Sequence, residues 1–286
     1  MNWKIAGIVV VALFSLIGIG GGIYGCVKIV QSFRAEQGLG ACSSGNPDES
    51  IPACSAIIQS PATSEPQRLA AYMRRSTAYA TKGDYDHAIA DDTQLIQLQP
   101  REAFLYAQRG RLYVRKNDYD HAIADYTQAI ELQPKAAYPW FDRSLVYHMM
   151  GKYPQAIDDL SQVLQLEPKN AMAWNNRCYY RAIVGQLDDA LSDCNRSLAL
   201  KPGDSYTLDS RAFTYLKMKK FDQALADYNS AIAATPDKTK LHAEWLYGRG
   251  LARQSKHDIA GSKADIAAAL VINSKVAEEF KSYGVS

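Results

Sequence analysis

A pattern that returns every 34 residues organises most of this 286-residue chain. In the segment 103–136, aromatic residues stand at positions 4, 11 and 24, small residues at 8 and 27, alanine at 20 and proline at 32. Residues three or four positions apart lie on the same face of an α-helix. The pattern therefore predicts two helices per unit, each with one apolar face. Because one such unit cannot bury its own apolar face, it needs neighbours stacked on it.

These positions resemble those of the tetratricopeptide repeat, a family of helix–turn–helix units. The resemblance implies an all-α fold, namely a right-handed α-solenoid of six helix pairs. The five regular repeats are placed at 69–102, 103–136, 137–170, 171–204 and 205–238. A sixth, degenerate repeat follows at 243–274, where Ser274 replaces the proline.

Shorter segments are predicted to close the two ends of the array. Residues 50–68 align with the second helix of a unit, so they are interpreted as a half-repeat cap, preceded by a linker at 28–49 that contains Cys42. Residues 275–286 are predicted to form a C-terminal capping helix. Terminal units with a polar outer face are what a solenoid requires at its ends.

The N-terminal region contains a run of 20 uncharged residues, 5–24. As a helix, such a run spans the ~30 Å hydrocarbon core of a bilayer. We interpret 5–27, after a short tail at 1–4, as a transmembrane signal anchor with the N-terminus in the cytoplasm. Two alternatives stay open: a cleaved signal, and a bacterial lipoprotein signal in which Cys26 carries the lipid.

The remaining four cysteines fall into two pairs. In the fourth repeat, Cys178 and Cys194 occupy core positions that the repeat resemblance places on two packed helices. Cys42 and Cys54 flank a short turn followed by a helix start. We predict one disulfide in each pair, which favours an oxidising compartment outside the cytoplasm, such as the periplasm of a bacterium. The alternative is four free thiols in a cytosolic protein.

A repeated charge pair accompanies the array. Arginine stands at position 7 and aspartate at position 23 of all six repeats: Arg75, Arg109, Arg143, Arg177, Arg211 and Arg249, and Asp91, Asp125, Asp159, Asp193, Asp227 and Asp265. Since an unpaired charge beside a core position would be costly, we predict structural ion pairs within or between repeats. The alternative is a row of arginines that binds a partner.

The family resemblance also implies a binding groove lined by positions 2, 5, 9, 12 and 13 of the first helices. In this chain those positions include Phe104, Arg111, Arg115, Tyr138, Phe141, Leu145, Met172, Asn175, Tyr179, Tyr206, Phe213 and Tyr247. An exposed apolar surface of this kind usually marks a partner site. The alternative is that these side chains pack against neighbouring repeats as additional core.

Other classes of function find little support in the sequence. A net charge of +2 gives no basic footprint for nucleic acid. No nucleophile motif, phosphate loop or metal-ligand spacing appears, so no enzyme activity, cofactor, metal or small-molecule substrate is expected. The leading hypothesis is a membrane-anchored, periplasmic adaptor that binds a protein or peptide. The alternative is a receptor or tether on the outer membrane of an organelle, with cytosolic repeats.

Overall fold

The computed structural model of the protein describes residues 40–234 and 240–285, which contain fourteen α-helices and no β-strand. A 3-10 turn at Ala41–Ser43 precedes them. The helices are α1 (Pro47–Gln59), α2 (Glu65–Thr81), α3 (Tyr85–Leu98), α4 (Ala103–Arg115), α5 (Tyr119–Leu132), α6 (Ala137–Met149), α7 (Tyr153–Leu166), α8 (Ala171–Ile183), α9 (Leu187–Leu200), α10 (Ser205–Lys217), α11 (Phe221–Ala234), α12 (Lys240–Ser255), α13 (Ile259–Ile272) and α14 (Val276–Ser282).

The predicted membrane anchor at 5–27 lies outside the described residues, as does most of the predicted linker. In the part of the chain that the structure covers, no helix is both long and apolar enough to cross a bilayer.

Two compact units divide the chain, the first ending at Asp142 and the second beginning at Arg143. In the first unit, each helix from α1 to α5 packs against the next. In the second, the helices from α7 to α13 do the same, and the first helices α8, α10 and α12 also pack side by side. The prediction of an all-α fold built from helix pairs is confirmed.

Three helices begin or end a few residues away from the bounds predicted for their segments. Helix α1 begins at Pro47, before the predicted half-repeat but at the helix start expected after the turn that Cys42 and Cys54 flank. The Asn46 side chain caps it by accepting a hydrogen bond from the Asp48 amide. Helix α12 begins at Lys240, before the predicted start of the sixth repeat. The C-terminal helix α14 ends at Ser282.

Close contact between positions 8 and 24 holds the two helices of a repeat together. A Cβ atom added to Gly110 would lie 3.1 Å from Cε1 of Tyr126, a buried ring, so a small residue at position 8 makes room for the aromatic one at 24. In the fourth repeat, Cys178 and Cys194 take the same two positions. Their Cα atoms lie 5.3 Å apart and their sulfurs are bonded.

The second disulfide joins Cys42 to Cys54, with the Cα atoms 4.8 Å apart. It fastens the 3-10 turn to α1, where the Ser50 hydroxyl also donates to the carbonyl oxygen of Cys42 at 2.9 Å. Both predicted disulfides are therefore confirmed, and both close short loops.

All six arginine–aspartate pairs are present, and each lies within one repeat. Arg109 Nε donates to Asp125 Oδ2 at 2.9 Å, and its Nη2 donates to Oδ1 at 2.7 Å. The same bidentate hydrogen bonding recurs in the other five pairs, Arg75–Asp91, Arg143–Asp159, Arg177–Asp193, Arg211–Asp227 and Arg249–Asp265. The predicted pairing of these charges is confirmed.

A further donor of the same arginines reaches the preceding repeat. Arg109 Nη1 donates to Thr93 Oγ1 at 3.0 Å, and Arg177 Nη1 donates to Ser161 Oγ at 3.0 Å. Equivalent bonds join Arg75 to Ser55, Arg211 to Asn195 and Arg249 to Asn229. Each acceptor stands at position 25, a polar position that our sequence reasoning overlooked. One guanidinium thus fixes both the fold of its own repeat and the register with its neighbour.

The turn between the two helices of each repeat adopts a left-handed backbone conformation. Gly185 has φ +86°, whereas the equivalent residue Lys219 has φ 58°. Because glycine adopts this conformation without steric cost and lysine does not, we expect Lys219→Gly to raise the free energy of unfolding by about 0.5–1 kcal/mol. Chemical denaturation measures the change. Gly185→Ala is the control, and it should lower the free energy of unfolding. No atom lies within 4 Å of a Cβ added at Gly185, so this loss would come from the backbone conformation alone. A destabilised Lys219→Gly would contradict the strain argument.

Candidate partner-binding groove

Each compact unit has its own candidate groove surface, formed by the first helices of its repeats. In the first unit the groove positions lie on α4 and on the start of α6. In the second they lie on the rest of α6 and on α8, α10 and α12, of which the last three pack side by side.

The first-unit part is largely closed by its own side chains. Tyr138 and Phe141 are buried, and Phe104 packs against the core formed by Leu95 and neighbours. Only Arg115 among the predicted groove residues of this unit is exposed. For Tyr138 and Phe141, the expectation of solvent-exposed aromatics was wrong, because at these positions the side chains pack inward.

Arg111 has an intramolecular partner. Its Nε donates to Asp142 Oδ2 at 2.9 Å, and the Nη2 atom lies 2.8 Å from the same oxygen. Burial raises the pKa of the Asp142 carboxyl, and the neighbouring guanidinium charge opposes that shift. This pair joins α4 to α6 across two repeats of the first unit, so Arg111 contributes to stacking and is not free to bind a partner.

The second-unit part contains both exposed and covered residues. Met172 on α8 is 37% exposed and Tyr206 on α10 is 53% exposed, and both stand at position 2 of their repeats. The ring of Tyr206 contacts the ring of Trp245 edge-on, with centroids 6.3 Å apart. Asn175, one turn beyond Met172, is half-buried, and its Oδ1 finds no hydrogen-bond partner among the described residues.

Further into the groove, Phe213 is only 2% exposed, while Leu145, Tyr179 and Tyr247 are half-buried. The C-terminal helix α14 supplies the cover. Phe280 contacts the ring of Phe213, with centroids 5.8 Å apart, and the ring of Tyr247 at 5.0 Å. The predicted exposure of Phe213 was therefore wrong, because the end of the chain packs on it.

Two groove residues, Lys217 and Asp209, were not singled out from the sequence. Lys217, at position 13, donates from Nζ to the carbonyl oxygens of Ile183 at 2.9 Å and Tyr283 at 2.8 Å. Burial lowers the pKa of this lysine. Asp209, at position 5, is desolvated and lies near the charge of Glu244, and both effects raise the pKa of Asp209. The sequence offered one indication that these two residues belong to the groove, because both stand at groove positions of their repeat.

An aromatic cluster borders the same part of the groove. The ring of His148 stacks on that of Tyr180 with centroids 4.8 Å apart, and Tyr153 lies 5.8 Å from His148. Burial lowers the pKa of His148, so the neutral imidazole is favoured in this apolar setting. Within the two described ranges, no group of three or more histidine, cysteine, aspartate or glutamate residues is arranged to hold a metal ion.

Comparison with protein families gives one consistent result. Three models of the tetratricopeptide repeat match the chain, at residues 113–174, at 149–205, and at 69–102 together with 207–238. Together these matches cover more than half of the sequence. No curated protein matches the chain.

Solved structures show the same fold. A tetratricopeptide repeat protein from Parabacteroides merdae is 19% identical with a TM-score of 0.64, and the match covers 92% of this chain and 100% of that one. The type IV pilus biogenesis factor PilW is 17% identical with a TM-score of 0.61, covering 72% and 93%. YrrB, described as a TPR protein with an unusual peptide-binding site, is 21% identical with a TM-score of 0.52, covering 66% and 97%. At these identities the similarity concerns the fold.

Proposed function

Because this chain belongs to the tetratricopeptide-repeat family, we propose that it is a scaffold or adaptor without catalytic activity, which binds a protein or peptide partner on the face formed by its first helices. The observation that carries the proposal is the pair of exposed apolar side chains, Met172 and Tyr206, at the same position of two adjacent helices. Exposed methionine and tyrosine are enriched where proteins bind one another.

The fold shared with YrrB, a protein described as having an unusual peptide-binding site, supports a peptide as the class of partner. In this proposal the two apolar side chains, Met172 and Tyr206, contact the side chains of that peptide.

Affinity capture with the full chain tests the proposal. We expect Met172→Ser combined with Tyr206→Ser to lose the partner that the wild-type chain captures from its source cells. Val271→Ser is the matched control, because Val271 is an apolar residue that is 87% exposed on the second helix of the sixth repeat. Circular dichroism checks that all three proteins fold. Equal recovery of every captured protein by both variants would refute the proposed surface.

We further propose that residues 5–27 anchor the chain in a membrane, with the repeats on the periplasmic side. The support is the uncharged N-terminal run together with two disulfides, since disulfides persist in oxidising compartments. Maleimide labelling of denatured, unreduced protein from cells is expected to modify one thiol, that of Cys26, and five after reduction. Five reactive thiols without reduction would favour cytosolic repeats instead.

A further inference from the structure

The C-terminal segment 276–285 packs into the second-unit groove and does not simply close the last repeat. Helix α14 contacts α12 and α13, as a terminal cap would. Its aromatic residues also reach the two preceding first helices. Tyr283 contacts the ring of Tyr179 on α8, with centroids 6.2 Å apart, and the ring of Phe213 on α10 at 6.0 Å.

The segment contacts the groove through one face. Val276 and Phe280 are buried and Tyr283 is half-buried, whereas Glu278 and Lys281 on the other side are exposed. The three inward residues stand at i, i+4 and i+7, which is the spacing by which an amphipathic helix presents its apolar side chains to a groove. Aromatic side chains supply most of this contact.

Lys217 fixes the end of the segment. Its ammonium group donates to the carbonyl oxygen of Tyr283, just past the end of α14, and to that of Ile183 at the end of α8. A positive charge is stabilising at the C-terminus of a helix, where carbonyl groups lack partners within the helix. The groove thus recognises both the apolar face of a helix and its C-terminal end.

Helix α14 has seven residues, and a helix of this length is not stable by itself in water. Its conformation therefore depends on the groove. A helix this short can leave such a site and return without unfolding the repeats.

We propose that segment 276–285 is an internal ligand of this groove, and that the partner binds by displacing this segment. The partner is an amphipathic helix with an aliphatic residue at position i and aromatic residues at i+4 and i+7. The partner part of this statement rests on the proposed function. The internal ligand contacts Phe213, Tyr179 and Tyr247. Met172 and Tyr206 stay exposed, and they form the surface that the partner contacts before it displaces the segment.

A synthetic peptide of residues 273–286 tests the proposal with the full chain. Phe280→Ala combined with Tyr283→Ala is expected to release the segment, so this variant should bind the fluorescent peptide saturably. The wild-type chain should bind it at least tenfold more weakly, because its own tethered segment competes at high effective concentration. A peptide with alanine at the two aromatic positions should bind neither protein.

Three controls keep the test decisive. Lys281→Ala changes an exposed residue of the same helix and should behave as the wild type. Adding Lys217→Met to the released variant should abolish the tighter peptide binding. If the released variant does not fold, Tyr283→Ala alone, which leaves Phe280 in place, should give a smaller increase in affinity than the tenfold difference. Equal peptide binding by wild type and released variant, or none by either, would overturn the proposal that the segment is an internal ligand of the groove.

The peptide titration needs no cellular partner, so its failure differs from that of the proposed function. If the released variant binds the peptide while the Met172→Ser, Tyr206→Ser variant captures the same proteins as the wild type, the internal ligand is upheld and the proposed partner-binding surface is overturned. Stronger capture of the partner by the released variant would uphold both.

Discussion

Replacing Arg109 by methionine is expected to lower the free energy of unfolding by about 3–5 kcal/mol, the usual cost of removing one member of a buried ion pair. The substitution leaves the Asp125 carboxylate, whose side chain is 7% exposed, without its bidentate arginine donor. It also removes the bond from Nη1 to Thr93 in the preceding repeat. Chemical denaturation followed by circular dichroism measures the change.

Two comparisons identify the cause of that loss. Lys116→Met, which breaks an exposed ion pair with Asp86 of the preceding repeat, should have little effect. Combining Arg109→Met with Asp125→Leu removes both buried charges and should cost less than the sum of the two single changes. Strict additivity would contradict the pairing, because independent residues add and contacting ones do not.

Asp92→Asn is expected to stabilise the protein increasingly as the pH rises. Asp92 is fully buried, and burial raises its pKa from 3.8 to about 7, although hydrogen bonds such as that from Gln108 Nε2 at 2.8 Å act in the opposite direction. With a folded-state pKa above the unfolded one, the folded state holds its proton longer. Wild-type stability from this group is therefore complete below pH 3.8 and is lost as the pH rises to about 7.

Asparagine does not titrate, so the stability difference between Asp92→Asn and wild type should grow by about 4 kcal/mol between pH 4 and pH 8, at about 1.4 kcal/mol for each pKa unit. Denaturant titrations at intervals of one pH unit measure it. Asp120→Asn, a change at an exposed aspartate of the next repeat, is the control and should show a flat difference. A flat difference for Asp92→Asn as well would mean that the buried carboxyl is ionised at neutral pH without cost.

Much of the repeat interior could be predicted because each repeat poses the same packing problem. Positions 8 and 24 must face one another, which is why the sequence predicted a bond between Cys178 and Cys194. Position 7 and position 23 carry opposite charges in all six repeats, so their pairing was predictable as well. Glycine at position 15 of three repeats is typical of a left-handed turn, and Asn117 takes the same conformation at that position with φ 59°.

The groove could be predicted less well, because its exposure depends on what covers it. The spacing of Val276, Phe280 and Tyr283 indicates an apolar face on the last helix, but it does not indicate which surface that face covers. The contact between Phe280 and Phe213 joins residues 67 positions apart, in a part of the chain where the repeat pattern has ended. Likewise, Arg111 and Asp142 stand at helix positions that the family pattern leaves variable, so their pairing had no repeated signal.

The bond from each arginine to position 25 of the preceding repeat has a consequence for how such a chain can change length. In the first unit Arg75 reaches Ser55 and Arg109 reaches Thr93, and in the second Arg177 reaches Ser161 and Arg211 reaches Asn195. In these repeats the arginine donor faces the preceding repeat and the acceptor at position 25 faces the following one. Duplicating a whole 34-residue segment, such as 103–136, inserts a matching donor and acceptor together, so the gene can gain repeats by duplication without losing a buried bond.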